Sequence, residues 1–122
     1  MALADAERIA AARAYVDALV SHDASAVKLT PGCTRIELGV KTGRNGDHIR
    51  RSLNNGPQFK LIYQISDFTA NVVDGTVNTT YYVHVHPKIL GLAARVVESF
   101  DVDESGAISA ITAKFSVPTR KV

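Results

Sequence analysis

The sequence of 122 residues contains one cysteine, Cys33, so no disulfide bond can form within the chain. This excludes a small fold held together by disulfides and is typical of a protein from a reducing compartment. The chain has only 4 prolines and 8 glycines, and no stretch is rich in either, so the sequence gives no sign of a flexible linker. We therefore predict a single domain over residues 1–122.

An excess of one charge is also missing. The net charge of +2 is too small to indicate a nucleic-acid partner. A local basic run consists of Lys41, Arg44, Arg50 and Arg51, with Asp47 as its only acid. Such a run is typical of a solvated surface, and no nucleic-acid partner is expected.

Long apolar runs are absent as well. No run approaches the roughly 20 residues that span a bilayer. Asp5, Glu7 and Arg8 stand where a signal peptide needs its apolar core. The sequence thus favours a cytoplasmic protein without a membrane partner. It also lacks a nucleophile elbow, a phosphate-binding loop, a dinucleotide fingerprint and a zinc motif, and therefore predicts no cofactor.

The N-terminal third has helical periodicity. From residue 3 to 22, apolar side chains recur three and four residues apart, with Tyr15 at the edge of the row. The members of that row are Ile9, Ala12, Val16, Leu19 and Val20. Asp23 is predicted to cap a short second helix that runs to Val27. Residues 47–54 are predicted as another helix, which ends at Asn54-Asn55-Gly56-Pro57.

The remaining patterns predict strands. A short strand over residues 34–38 follows a break at Pro31-Gly32, and a glycine-containing loop at positions 39, 43 and 46 leads to the helix. Four longer strands are predicted over residues 60–73, 76–86, 92–103 and 107–117. Asp74-Gly75 is a typical hairpin turn between the first two. This order predicts an α+β fold in which N-terminal helices pack on an antiparallel sheet.

The strand over residues 92–103 has one carboxylate in an apolar row. Because side chains of a strand alternate between faces, Glu98 must share a face with Val96 and Phe100 unless a bulge intervenes. An ionised carboxylate is costly there, so Glu98 is expected to be paired, hydrogen-bonded or protonated. Buried carboxylates are enriched at functional sites, although a structural ion pair with an arginine is the alternative.

Two histidines two residues apart, His84 and His86, project from the same face of the preceding strand. This spacing occurs in metal sites, but no cysteine or carboxylate cluster flanks it. We therefore predict an exposed or interface face and no metal.

The order of elements resembles the nuclear transport factor 2-like (SnoaL-like) superfamily over essentially the whole chain. The segments at residues 14–19, 33–37 and 97–100 are similar to those that carry the catalytic tyrosine, the general base and the protonated acid of bacterial ketosteroid isomerases. The resemblance implies a cone-shaped α+β barrel whose curved sheet encloses an apolar pocket. It also implies a homodimer, for which we predict the outer sheet face that carries Tyr82, His84, Arg95 and Val97.

The resemblance implies catalytic roles for three residues. Tyr15 and Glu98 would donate hydrogen bonds to an enolate, and Glu37 would transfer the proton; both acids are Glu where the resembled enzymes have Asp. Strand alternation alone would instead turn Glu37 outward and bury Ile36 and Leu38. The predicted substrate-binding residues are Val16, Leu19, Ile49, Leu53, Tyr81, Val83, Val85, Val96, Phe100, Ile111, Ala113 and Phe115.

The predicted function is thus a cofactor-free acid–base enzyme. It would isomerise a double bond in a hydrophobic carbonyl compound such as a steroid or polyketide. The alternatives are a non-catalytic small-molecule-binding or dimerisation domain of the same fold, or a dehydratase or cyclase.

Overall fold

The computed structural model describes residues 3–120, in which helices pack on a curved, unclosed sheet of seven strands. The helices are α1 (Asp5–Ser21), α2 (Gly46–Asn55) and the short α3 (Pro57–Lys60), and a 3₁₀ turn spans Lys88–Leu90. The strands are β1 (Leu29–Glu37), β2 (Val40–Gly43), β3 (Ile62–Val73), β4 (Thr76–Val85), β5 (Leu92–Val102), β6 (Ile108–Phe115) and β7 (Thr119–Arg120). The predicted α+β architecture is confirmed.

The strand order is β2-β1-β6-β5-β4-β3, and β7 pairs with the beginning of β5. Strands β3 to β6 form the predicted antiparallel meander. Strand β1 does not follow this antiparallel pattern, because it pairs in parallel with β6. This pairing places the end of β1, which carries Glu37, between β6 and the edge strand β2.

Three local predictions are wrong. Residues 23–27 form a turn and not a helix, because Asp23 Oδ1 accepts a hydrogen bond from the Ser25 amide 2.9 Å away and so closes a local turn. Pro31-Gly32 lies inside β1, at the point where its pairing with β6 shifts between Leu29 and Thr34. Much of the predicted glycine loop is strand β2, which pairs antiparallel with β1.

Two turns explain how neighbouring strands reverse. Asp74 and Gly75, with φ of 51° and 81°, close the β3–β4 hairpin as predicted. Leu38 and Gly39 adopt the same left-handed conformation between β1 and β2, with φ of 52° and 81°. This turn leaves Leu38 exposed.

Helix α1 is fixed at its N-terminal end by Arg8. This buried side chain donates a hydrogen bond to the Val102 carbonyl and forms a 2.9 Å ion pair with Glu104. The buried face of α1, which includes Ala12, Tyr15 and Leu19, packs toward the sheet. Within residues 3–120, no helix is long and apolar enough to cross a membrane.

Candidate active site

A cavity of about 390 Å³ lies between α1, α3 and the concave face of the sheet. Its volume falls in the range of about 300–1,000 Å³ that is typical of small-molecule sites. Its wall consists of Tyr15, Leu19, Glu37, Leu38, Gln58, Phe59, Leu61, Ile62, Tyr81, Val83, Val85, Ala94, Val96, Glu98, Ala113, Phe115, Ser116, Val117 and Pro118. Most of these side chains are apolar, so the few polar groups among them stand out as candidates for chemistry.

Glu98 is the most buried of the acids on this wall. Its side chain lies on the inner face of β5 with only 3% of the residue exposed, as the alternation predicted. The Tyr81 hydroxyl donates a hydrogen bond to Glu98 Oε1. One carboxyl oxygen is thus held in place by Tyr81, and the other remains for a ligand in the cavity.

Burial raises the pKa of Glu98 to about 8. The hydrogen bond from Tyr81 lowers this pKa, whereas the negative charge of Glu37 raises it. At pH 7 the protonated form therefore exceeds the ionised form by about tenfold. Burial also raises the pKa values of Tyr15 and Tyr81 well above their ordinary value. All three groups are thus neutral hydrogen-bond donors at neutral pH.

Tyr15 is held by a buried arginine that the sequence analysis did not single out. Arg35 is fully buried, and its Nη1 donates a hydrogen bond to the Tyr15 hydroxyl oxygen at 3.2 Å. Its Nε and Nη2 donate to Thr42 Oγ1 and to the Thr42 carbonyl, and its guanidinium lies over the Phe59 ring, 5.0 Å from the ring centre. Because Arg35 can only donate, the hydroxyl proton of Tyr15 must point elsewhere, where it can be donated to a ligand.

Glu37 also lies on the cavity wall, so the prediction from alternation alone is wrong for this residue. The inward set of β1 is Cys33, Arg35 and Glu37, whereas Leu38 is exposed. Arg35 tolerates burial because each of its three guanidinium nitrogens donates a hydrogen bond and its Nε lies 3.7 Å from Glu37 Oε1. A shift in the β1–β2 register between Arg35 and Ile36 accompanies this arrangement.

The two acids face each other across one strand. Ala113 of β6 is the register partner of Glu37 on one side and of Glu98 on the other. Strands are spaced about 4.8 Å apart, so the two Cα atoms are separated by about 10 Å, with the small Ala113 side chain between them. A partly exposed carboxylate and a neutral acid therefore border the same cavity.

The predicted substrate-binding residues divide into two groups. Seven lie on the cavity wall: Leu19, Tyr81, Val83, Val85, Val96, Ala113 and Phe115. The other five, Val16, Ile49, Leu53, Phe100 and Ile111, are fully buried in the core outside the wall. Phe100, for example, packs edge-on against Tyr15 with ring centres 5.3 Å apart, and so supports a wall residue from behind.

Sequence reasoning missed the wall residues in α3, directly after α3 and after β6, such as Phe59, Leu61 and Val117. It also missed Arg35. The sequence does contain a signal for Arg35, because alternation places it on the same face of the strand as Cys33 and Glu37. The apolar side chains of Ile36 and Leu38, however, favoured burial of the opposite face.

The histidine pair lies outside the cavity. His84 Nε2 is 2.6 Å from Ser66 Oγ, and the His86 ring is 5.0 Å from the Tyr63 ring on the same side of the sheet. Within residues 3–120, no three His, Cys, Asp or Glu side chains lie close enough to hold a metal ion. None of the wall residues is a histidine, so the wall offers no imidazole to a dehydratase that would use one.

Residues 2–115 match the family model described as domain of unknown function (DUF8021). The chain belongs to this family. No functionally curated protein sequence matches it.

Solved structures show which fold this DUF8021 domain has. An M. tuberculosis LEH-like epoxide hydrolase is similar with a TM-score of 0.72 and 20% identity, over 92% of this chain and 84% of the other. A steroid delta-isomerase from Pseudomonas aeruginosa is similar with a TM-score of 0.66 and 12% identity, over 96% and 85%. A nuclear transport factor 2-like protein from Burkholderia xenovorans LB400 has a TM-score of 0.66 and 17% identity, over 95% and 88%. The nuclear transport factor 2-like fold implied by the sequence is confirmed.

Proposed function

We propose that this DUF8021 domain is a cofactor-free acid–base enzyme that moves a double bond in a hydrophobic carbonyl compound by proton transfer. The observation that supports this proposal is that one apolar cavity is bordered by a carboxylate, Glu37, and by two neutral donors, Tyr15 and Glu98. A steroid- or polyketide-like compound matches the apolar wall.

The proposed reaction begins with removal of a proton next to the carbonyl group. Glu37 accepts this proton, and the negative charge that develops on the carbonyl oxygen is stabilised by hydrogen bonds from Tyr15 and Glu98. Glu37 then returns the proton to the γ-carbon, so that the double bond becomes conjugated and no atom is gained or lost. The apolar wall keeps water away and so strengthens both hydrogen bonds.

Arg35 has a supporting role in this scheme. Its hydrogen bond to the Tyr15 oxygen leaves the phenolic proton free for the substrate, and its charge lies 3.7 Å from Glu37. Arg35 is not part of the cavity wall, so it acts through these two side chains.

A fused-ring β,γ-unsaturated ketone is a suitable test substrate because its conjugated product absorbs ultraviolet light. The wild type should produce that absorbance, whereas Glu37→Gln should lose turnover and still bind a product-like ketone. Glu98→Gln keeps a donor and should be less harmful than Glu98→Leu. Equal turnover by the wild type and Glu37→Gln would contradict the proposal and favour a binding domain of the same fold.

Opening of an epoxide by water is a second candidate, favoured by the same pair of acids. Glu37 would take a proton from water as its oxygen attacks an epoxide carbon, and Glu98 would protonate the oxygen that leaves that carbon. The similarity in fold to an epoxide hydrolase supports this second candidate. Mass spectrometry distinguishes the two reactions, because isomerisation leaves the substrate mass unchanged and hydrolysis adds one water.

A further inference from the structure

The open end of the cavity carries a concentration of exposed apolar side chains. We define the mouth rim as the segments 36–42, 57–62, 85–92 and 114–120. They adjoin one another: the Leu61 carbonyl accepts a hydrogen bond from the His86 amide, and Arg120 lies beside Gly91. Of the nine large hydrophobic residues exposed within residues 3–120, seven belong to the rim: Leu38, Val40, Leu61, Ile89, Leu90, Phe115 and Val117. Ile89, with 91% of its surface exposed, is the extreme case.

The same rim is basic. Its exposed cations are Lys41, Lys60, Lys88, Lys114 and Arg120, and its one acid is Glu37, which faces the cavity. The opposite end of the domain, formed by the beginning of α1, segment 26–29 and the β3–β4 and β5–β6 turns, is acidic. It carries Asp5, Glu7, Asp74, Asp101, Asp103 and Glu104 against Arg8 and Lys28. A net charge of +2 therefore conceals a strong separation of charge along the molecule.

We infer that the mouth rim docks on the surface of an anionic phospholipid bilayer. Exposed apolar side chains enter the interface between headgroups and acyl chains, while surrounding lysines and arginines contact anionic headgroups. The charge separation would turn the rim toward such a surface as the protein approaches. A second copy of the chain is the poorer occupant, because two facing rims would bring cations against cations.

Docking would place the cavity opening against the bilayer, so that an apolar ligand could enter without crossing water. This contact is with the surface of the membrane. The prediction of no membrane partner rested on the absence of a segment long enough to span a bilayer. Binding at the membrane surface needs no such segment. The docking inference does not depend on the proposed reaction, so an experiment that refutes either of them does not refute the other.

Vesicle co-sedimentation of the full chain tests the inference. The wild type should bind vesicles of equal parts phosphatidylcholine and phosphatidylglycerol, bind vesicles of phosphatidylcholine alone much less, and be released by salt. Lys88→Glu should weaken binding by at least about fivefold, since each cation near an anionic surface contributes about that factor. Lys28→Glu, which makes the same charge change at the acidic end, is the control and should retain binding.

The apolar contribution is tested by Ile89→Gln, with Val73→Gln as its control. Val73 is also exposed but lies beside the β3–β4 turn, at the opposite end. Ile89→Gln should lose binding to the mixed vesicles and Val73→Gln should not, provided that thermal melts show both variants to be folded.

Three results would overturn the inference. The first is a wild type that stays in the supernatant with anionic vesicles. The second is an equal loss for Lys88→Glu and Lys28→Glu, which would indicate attraction by net charge alone. The third is a lipid-free dimer that Ile89→Gln dissociates, which would make the rim an interface between copies of the chain.

Discussion

Replacing Glu98 by glutamine should flatten the pH dependence of folding stability between about pH 5 and 8. In the folded state the pKa of Glu98 is raised from 4.5 to about 8, chiefly by burial. Between these values the folded protein holds a proton that the unfolded chain releases. The unfolding free energy therefore falls as pH rises, by about 1.4 kcal/mol per pH unit.

From pH 5 to 8 this loss sums to about 4 kcal/mol in the wild type and is absent from Glu98→Gln. The glutamine keeps an oxygen that can accept the hydrogen bond from Tyr81 and an N–H donor for the cavity, so the fold should persist. Urea unfolding followed by circular dichroism at several pH values measures the difference between the two slopes.

Glu7→Gln is the matched control, because Glu7 is exposed at the beginning of α1. This variant should keep the slope of the wild type. If the wild type and Glu98→Gln instead gave parallel curves from pH 5 to 8, Glu98 would titrate as an ordinary carboxylate. The neutral donor on which the proposed mechanism depends would then be missing.

Four further outcomes are expected. Tyr15→Phe should raise the activation barrier of the isomerisation by about 2–4 kcal/mol in steady-state kinetics, because one enolate donor is lost; an unchanged kcat would remove Tyr15 from the mechanism. Arg35→Met should cost about 1–3 kcal/mol in urea unfolding, because the Tyr15 hydroxyl oxygen and the Thr42 carbonyl lose their buried donor. It should also raise the pKa of Glu98 in a carboxyl-carbon NMR titration, since the Arg35 charge opposes that shift; an unchanged pKa would show that the two groups do not interact. The chain should sediment as a homodimer that Arg95→Glu weakens, and a monomer at micromolar concentration would refute the predicted interface on the outer sheet face.

The orientation of Glu98 was predictable because it depends on a local rule. Alternation over a long regular strand fixes the face of each side chain, and β5 contains no irregularity near residue 98. The Asp74-Gly75 hairpin was predictable for the same reason, since two adjacent residues determine its conformation.

The orientation of Glu37 was not predictable from its own strand. Its face depends on a pairing shift in β1 and on partners for Arg35 that come from other elements, namely Tyr15 of α1 and Thr42 of β2. A pattern that counts arginine as a surface residue cannot anticipate that those partners make its burial tolerable. The parallel pairing of β1 with β6 is likewise a long-range contact without a local signal.

The division between wall and core has a similar cause. Apolar rows identified buried residues correctly, yet Ile49 and Ile111 fill the core while Phe59 and Leu61 line the cavity. Hydrophobicity is the same in both groups. The difference arises from the curvature of the sheet and the position of α3, which only the assembled fold determines.

Proton exchange on a bound ketone tests the central claim most directly, because it requires the base and the enolate donors but no particular product. A conjugated fused-ring ketone is incubated with the protein in deuterium oxide, and loss of its exchangeable carbon-bound protons is followed by NMR. The account predicts exchange by the wild type well above the buffer rate, and a return to the buffer rate for Glu37→Gln, even though the ketone still binds. Exchange at the same rate with both proteins would contradict the claim that Glu37 transfers a proton in this cavity.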